Sequence, residues 1–244
     1  SAYSDLFFEV RRATAPSRRA VSPGAEDLEK ILEREADQIA AVIMEPMVQA
    51  AGGMIIWPRE FLCRVRELTA HYGIPLIADE VFTGFGRTGE MFACQHGPIE
   101  PDIMCLSKAI TGGYLPLAAT LASEEIYQAF LSNDRRKTLF HGHSYTGNPL
   151  GCAAALGSLD VFDEEDVLAR VQPRIRQLGE RLEAVGEHPH VGDIRRVGLM
   201  TGIELVEDRA TGRAFAAEQL MGRKVMAAAL EHGVLIRPLG DVVV

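Results

Sequence analysis

The sequence predicts an α/β fold: a mostly parallel sheet flanked by helices in a larger first domain, residues 1–163, and a small α+β domain over residues 164–244. Two observations carry this expectation. Four short runs, Ile39 to Met47, Ile74 to Asp79, Asp102 to Ser107 and Leu115 to Ser123, are almost continuously apolar. Runs of that length without alternation suit strands buried on both faces. Between the first two runs lies PREFLCRVRELTAHYG, Pro58 to Gly73, with Phe61, Leu62, Val65, Leu68 and Tyr72 at helical spacing. Proline opens that segment and glycine closes it, as helix ends require. Strand, helix, strand is the unit from which parallel sheets are built.

The remaining elements follow in order. An amphipathic helix over roughly Ala25 to Ala36 precedes the first strand, and a helix rich in small residues follows Asn148 through GCAAALGSLDVF. After Asp163 the texture changes. A charged helix near Val167 to Val185 leads to a turn bearing glycine and histidine, and then to the apolar run Val197 to Val206. Another helix, Ala214 to His232, and a strand VLIRP, Val234 to Pro238, complete the second domain. The chain ends on VVV, which reads as a strand, and begins at Ser1 without an initiator methionine, running quickly into the apolar LFFEV of Leu6 to Val10. Both ends therefore read as cut, and a fragment of a longer protein is the expectation.

Composition narrows the function. The chain has 244 residues, 47% of them apolar, and a formal charge of −9. That is enough apolar material for a substantial core, and the charge offers no basic surface for a nucleic acid. The small basic clusters, Arg11 with Arg12, Arg18 with Arg19 and Arg135 to Lys137, read as solvated loop charge. Cys63, Cys94, Cys105 and Cys152 are irregularly spaced without a CxxC pair, so reduced thiols and a cytoplasmic protein are expected, with buried thiols at Cys105 and Cys152. There is no run of eighteen apolar residues and no signal-peptide pattern, so neither a membrane partner nor export is indicated.

Glu45, Asp79 and Lys108 each end an apolar run. In a parallel sheet ligands gather beyond the carboxyl ends of the strands, so these three groups would converge on one rim. Each has a plainer use alone: Asp79 and Glu80 as turn caps, Glu45 as a strand-end carboxylate before Pro46, and Lys108 as a loop lysine. Gly84, Gly86, Gly89, Gly112 and Gly113 follow them and let backbone approach a ligand closely, which favours a binding rim. A lysine amine and a carboxylate there are what pyridoxal 5′-phosphate requires: the amine holds the cofactor aldehyde, and the carboxylate keeps the pyridine nitrogen protonated so that the ring acts as an electron sink. His141 and His143 have no third ligand nearby in sequence and read as turn and packing residues, so no metal is expected.

LIADEVFTGFGRTG, Leu76 to Gly89, followed by PDIMCLSKAITGG, Pro101 to Gly113, closely resembles the signature of the class III, fold type I aminotransferases, and the likeness continues over nearly the whole chain. The resemblance implies pyridoxal 5′-phosphate as cofactor, with Lys108 as the lysine that carries it and Asp79 as the partner of the ring nitrogen. It places Val81 against the ring, and Gln49 and Glu45 near the ring hydroxyl. FHGHSYTGNPLGCAAAL, Phe140 to Leu156, implies that Ser144 reaches the cofactor phosphate of a neighbouring subunit, hence a homodimer with a shared site; a plainer use of Ser144 is as a helix-cap hydroxyl. VLIRPLG, Val234 to Gly240, implies that Arg237 receives a substrate carboxylate. Guanidinium suits that task through two parallel hydrogen bonds, each charge-assisted bond contributing on the order of 1.5–3 kcal/mol.

Within the family, EPMVQAAGGM, Glu45 to Met54, is similar to the branch serving biotin biosynthesis, in which S-adenosylmethionine gives an amino group to 8-amino-7-oxononanoate. Ala51 stands where several ω-aminotransferases that use glutamate carry a glutamate. Another class III activity, on an ω-amino acid or a diamine, or an aminomutase, is the alternative, and a catalytically silent binding or oligomerisation module is the alternative of a different class. The resemblance also implies a longer N-terminal portion, with a phosphate-binding turn and an aromatic that stacks on the ring. The expectation is that this chain alone holds the cofactor weakly or not at all.

Overall fold

The computed structural model describes residues 9–16 and 22–244. Residues 6–8 of the first apolar segment, and the Arg18 and Arg19 pair, lie outside the described residues. Helix α1 (Ser22–Glu35) leads through a short 3-10 turn to β1 (Val42–Met44), which is followed by an antiparallel hairpin of β2 (Val48–Gln49) and β3 (Ile55–Ile56). Helix α2 (Arg59–Tyr72) starts at Pro58, in extended conformation, and stops at Gly73. Gly73 has φ 65°, and its N–H donates to Ala70 O while Ile74 N donates to Thr69 O, so the last carbonyls are satisfied.

The first sheet runs β1, β4 (Leu76–Asp79), β5 (Ile103–Leu106) and β6 (Ala119–Ala122). The first three are parallel and β6 pairs antiparallel with β5. The lower ends of β4 and β5 are clamped by Asp102: its Oδ2 accepts from Leu76 N at 2.7 Å and from Arg66 Nη1 on α2 at 2.7 Å. Burial alone would raise the Asp102 carboxyl, but the Leu76 amide and the Arg66 guanidinium outweigh it and hold it below its ordinary value. The core beneath the sheet joins Leu28 and Leu32 of α1 to Trp57 and to Phe61, Val65 and Leu68 of α2, with Leu76 of β4.

One expectation fails here. The runs that form the outer strands β1 and β6 are not buried on both faces: Ile43 is 63% exposed and Leu121 52% exposed. Run length reports that a strand can be covered, and no described residue covers these two side chains. The same holds for Cys152, which is exposed on α4 (Pro149–Glu164), whereas Cys94 is the buried thiol and Cys105 is partly buried; all four thiols are free.

Helix α3 (Glu124–Phe130) is capped by Ser123, whose hydroxyl accepts from Ile126 N, and α4 by Asn148, whose side chain accepts from Leu150 N. Helix α5 (Val167–Gly186) then leads to a second, antiparallel sheet ordered β7 (Val191–Val197), β8 (Met200–Leu205), β10 (Val242–Val243) and β9 (Pro238–Leu239), with α6 (Met221–Glu231) packed against it. Strand β7 occupies part of what sequence patterning takes for a turn. Its Arg195 and Arg196 hide the alternation, because both find partners inside the structure: Arg195 pairs with Glu204 and Arg196 Nη1 donates to Ile175 O and Gly198 O. Conversely, Val234 to Arg237 is not a strand in the sheet. The backbone of Arg237 exchanges bonds with Val244 at 3.1 and 2.8 Å, and the ladder proper starts at Pro238. The predicted helix from Ala214 also begins late, at Met221.

The second sheet meets the first region at two places. Arg195 Nη2 donates to Gly53 O at 3.1 Å, and Met54 packs with Met47, Val48, Leu62, Ala93 and Met200. The β7–β8 turn rests on the loop after β4: Leu199 N donates to Arg87 O at 2.9 Å. At Gly198, φ 57°, an added Cβ would lie 2.3 Å from Thr88 C and 2.5 Å from Arg87 O. Both contacts are backbone, so nothing swings aside. The expected effect of Gly198→Ala is a loss of about 2–4 kcal/mol, from overpacking plus a left-handed alanine. Urea denaturation would show it as a lower midpoint at unchanged slope, and an unchanged midpoint would contradict the tight contact.

Candidate active site

The rim of the first sheet is where chemistry collects. Asp79 is the last residue of β4 and lies in register with Cys105 of β5; Lys108 follows two residues after β5 ends, and Glu45 follows β1 directly. Parallel pairing brings these three chain segments to one edge, and each strand end has its own lock. Trp57 Nε1 donates to Glu45 O at 2.9 Å, Asp79 Oδ1 accepts from Val81 N at 3.1 Å, and Glu80 N donates to Cys105 O at 3.0 Å.

Electrostatics shows the convergence. Burial raises the Glu45 carboxyl above its ordinary value, its bond from Ala50 N opposes this, the Asp79 charge raises it further and the Lys108 charge lowers it. Both Asp79 and Lys108 are thus close enough to act on Glu45. Burial also pushes up the Cys105 thiol, and the neighbouring Asp79 adds to the effect. The Lys108 side chain is exposed and has no ion pair among the described residues; its Nζ lies 5.0 Å from the centroid of the Phe82 ring.

Gln49 sits on β2, one residue before Ala50, whose N–H donates to Glu45 Oε2 at 3.0 Å. Its amide lies over Gly52, where an added Cβ would approach Gln49 Oε1 to 3.0 Å. Val81 is partly buried, next to Asp79. Ser144 and Arg237 are not drawn into this group: both are exposed. Ser144 does not cap α4, since Asn148 does. His143 is engaged in its own turn, its Nδ1 accepting from Tyr145 N at 3.1 Å. Among the described residues no group of three or more His, Cys, Asp or Glu could hold a metal ion, and no helix is long and apolar enough to cross a membrane.

Three residues escape sequence reasoning. Phe82 underlies Lys108, and the Arg87 guanidinium stands 5.3 Å from the same ring, half-buried, without a carboxylate partner among the described residues, its pKa lowered by burial. Glu80, 1% exposed, is an internal acceptor for Thr83 Oγ1, Ala93 N and Cys94 N. Phe82 and Arg87 stand within the motif, so their presence was legible; their approach to one another depends on the turn between them.

A fold of this kind, with an acid on one strand end and a free lysine on the next, defines a class. The family description Aminotransferase class-III matches residues 7–244. The chain belongs to the class III aminotransferase family, whose fold type I α/β architecture it shares and whose members depend on pyridoxal 5′-phosphate. Its sequence is 52% identical over 219 residues to the adenosylmethionine-8-amino-7-oxononanoate aminotransferase of Geobacter sulfurreducens, covering 89% of this chain and 48% of that protein. The crystal structure of adenosylmethionine-8-amino-7-oxononanoate aminotransferase from Methanocaldococcus jannaschii superposes with TM-score 0.93 at 39% identity, covering 99% of this chain and 56% of that one. An (S)-enantioselective omega-transaminase from Thermomicrobium roseum superposes with TM-score 0.85 at 38% identity, covering 91% and 50%. The chain spans about half the length of the curated relatives it matches.

The residues present fit the cofactor. An amine with no ion pair among the described residues, a carboxylate on the neighbouring strand end and glycines at positive φ beyond the amine, Gly112 and Gly113, form a set suited to an aldehyde-bearing pyridine.

Glu45 yields a pH prediction. Its folded pKa is raised, so its contribution to stability is present below the ordinary carboxyl value of 4.5 and is lost as pH rises through the folded value. Gln carries no charge to desolvate and can still accept from Ala50 N. Relative to wild type, Glu45→Gln should therefore become progressively more stable between about pH 4 and pH 7 in denaturant titrations. A difference that shrinks over that range would contradict the burial of this carboxyl.

Proposed function

We propose that this chain carries the lysine-bearing part of a pyridoxal 5′-phosphate site that transfers an amino group from S-adenosylmethionine to 8-amino-7-oxononanoate, giving 7,8-diaminononanoate for biotin synthesis. The convergence of Glu45, Asp79 and Lys108 on one rim carries the reading, and the relatives named above support its substrate assignment. These residues would hold pyridoxal 5′-phosphate at this rim, where its ring would supply an electron sink for the donor Cα. Lys108 Nζ would carry the cofactor and, once released, would take the proton from the donor Cα and deliver it to the carbon of the cofactor's aldehyde group, acting as covalent anchor and general acid/base. Asp79 would hold a proton on the pyridine nitrogen, Val81 would pack against the ring, and Gln49 and Glu45 would lie toward its hydroxyl edge. A raised Glu45 carboxyl suits that edge, since it can share a proton there.

Arg237 would bind the carboxylate of the long-chain keto acid, and Ser144 the phosphate held by a neighbouring subunit. The exposure of both, far from being idle, agrees with a site completed by another copy of the chain in a homodimer. We place the enzyme in the cytoplasm and the domain boundary after residue 163, at the C-terminal end of α4 just before α5.

The test uses the chain's own lysines. Lys30, Lys108, Lys137 and Lys224 are all it has. After incubation with pyridoxal phosphate and borohydride reduction, peptide mapping should place the label on Lys108, and Lys108→Ala should lose it. Weak binding changes only the cofactor concentration needed. Label spread over the four lysines would contradict the reading.

A further inference from the structure

Glu80 is the buried ionisable group that the proposed chemistry leaves unused. It is 1% exposed, and no lysine, arginine or histidine pairs with it among the described residues. Its carboxylate is satisfied by neutral donors: Thr83 Oγ1 and Ala93 N (3.0 Å) on Oε2, and Cys94 N (2.8 Å) on Oε1. Burying a carboxylate without a cation costs more than filling the same space with an apolar side chain, so stability alone does not account for it.

What the carboxylate does geometrically is close a ring. Its own backbone N–H is bonded to Cys105 O of β5, and its side chain holds residues 93 and 94, so the intervening loop is tied at both ends to the strand that leads to Lys108. Inside the ring, Gly84 N donates to Glu80 O at 3.0 Å and Phe85 N to Met91 O at 2.7 Å. Phe82 and Arg87 ride on this loop and stand 5.0 and 5.3 Å from Lys108 Nζ and the ring centroid respectively, in the sense that both cations share the Phe82 ring. The far side of the loop is held by the second region, through Leu199 N on Arg87 O and Gln172 Nε2 on Gly89 O. Glu80 is the corresponding hold on the near side.

We propose that Glu80 is a positioning residue: its buried carboxylate sets where Phe82 and Arg87 stand relative to Lys108. The inference rests on the reading of Lys108 as the cofactor lysine, and its test separates the two. Glu80→Gln keeps the shape but turns one oxygen into an NH2 group, so either Ala93 N or Cys94 N faces a donor. In hydrogen exchange, amides at 93 and 94 should exchange about tenfold faster or more than in wild type. In borohydride trapping with pyridoxal phosphate, the preference of the label for Lys108 over Lys137 should fall while circular dichroism stays unchanged. Thr83→Val, which removes one donor and leaves both amides paired, should give a smaller shift of the same kind, and it serves alone if Glu80→Gln does not fold. Faster exchange with unaltered Lys108 preference would make Glu80 structural only and overturn the proposal, as would unaltered exchange. If wild type itself shows no preference for Lys108, the cofactor reading fails, and with it Glu80's role toward that lysine.

Discussion

The parallel pairing of β4 with β5 is the constraint on which the rest of the molecule depends. It puts Asp79 level with Cys105 and leaves Lys108 just past the strand end, so the acid and the lysine are brought to one rim by the pairing of the backbone. Asp102 secures the opposite end by binding the first amide of β4 and Arg66 of α2 together. A slip of one residue would send every side chain of the strand to the other face, taking Asp79 out of the rim. The apolar contacts of α2 with α1 and with β4 hold that register from below.

The site also depends on contacts from residues far along the chain. The loop after β4 is pressed between the first sheet and the β7–β8 turn, with Gly198 allowing backbone to lie on backbone at Thr88. The β2–β3 hairpin, which brings Gln49 and the amide that binds Glu45, is itself tied to β7 by Arg195. The second sheet is therefore tied to both sides of the rim, at the hairpin and at the loop after β4.

Much of this was legible in the sequence because it is local. Helix α2 announces itself by apolar spacing, Pro58 and Gly73, and the strands that end at Asp79 and before Lys108 by their apolar runs. What was not legible depends on contacts between distant residues. Strand β7 is masked by two arginines whose partners lie on other elements, and the exposure of Ile43 and Leu121 depends on what covers the sheet, which a run of apolar letters does not encode. In the site, Asp79 and Lys108 stand out as strand-end residues, whereas Glu80 looks like half of an acidic pair until residues 93 and 94 are seen folded back onto it. Arg237 and Ser144 were named by resemblance, and neither is gathered with the rim group within the one chain.

The proposed function requires a pyridine ring at this rim with its nitrogen against Asp79. Nitrogen NMR of pyridoxal phosphate labelled with 15N in the ring, bound to the protein at neutral pH, reads that contact directly. The account predicts a protonated ring nitrogen in the wild type and a shift to the unprotonated position in Asp79→Asn. An unprotonated nitrogen in the wild type, or the same resonance in both proteins, would contradict it.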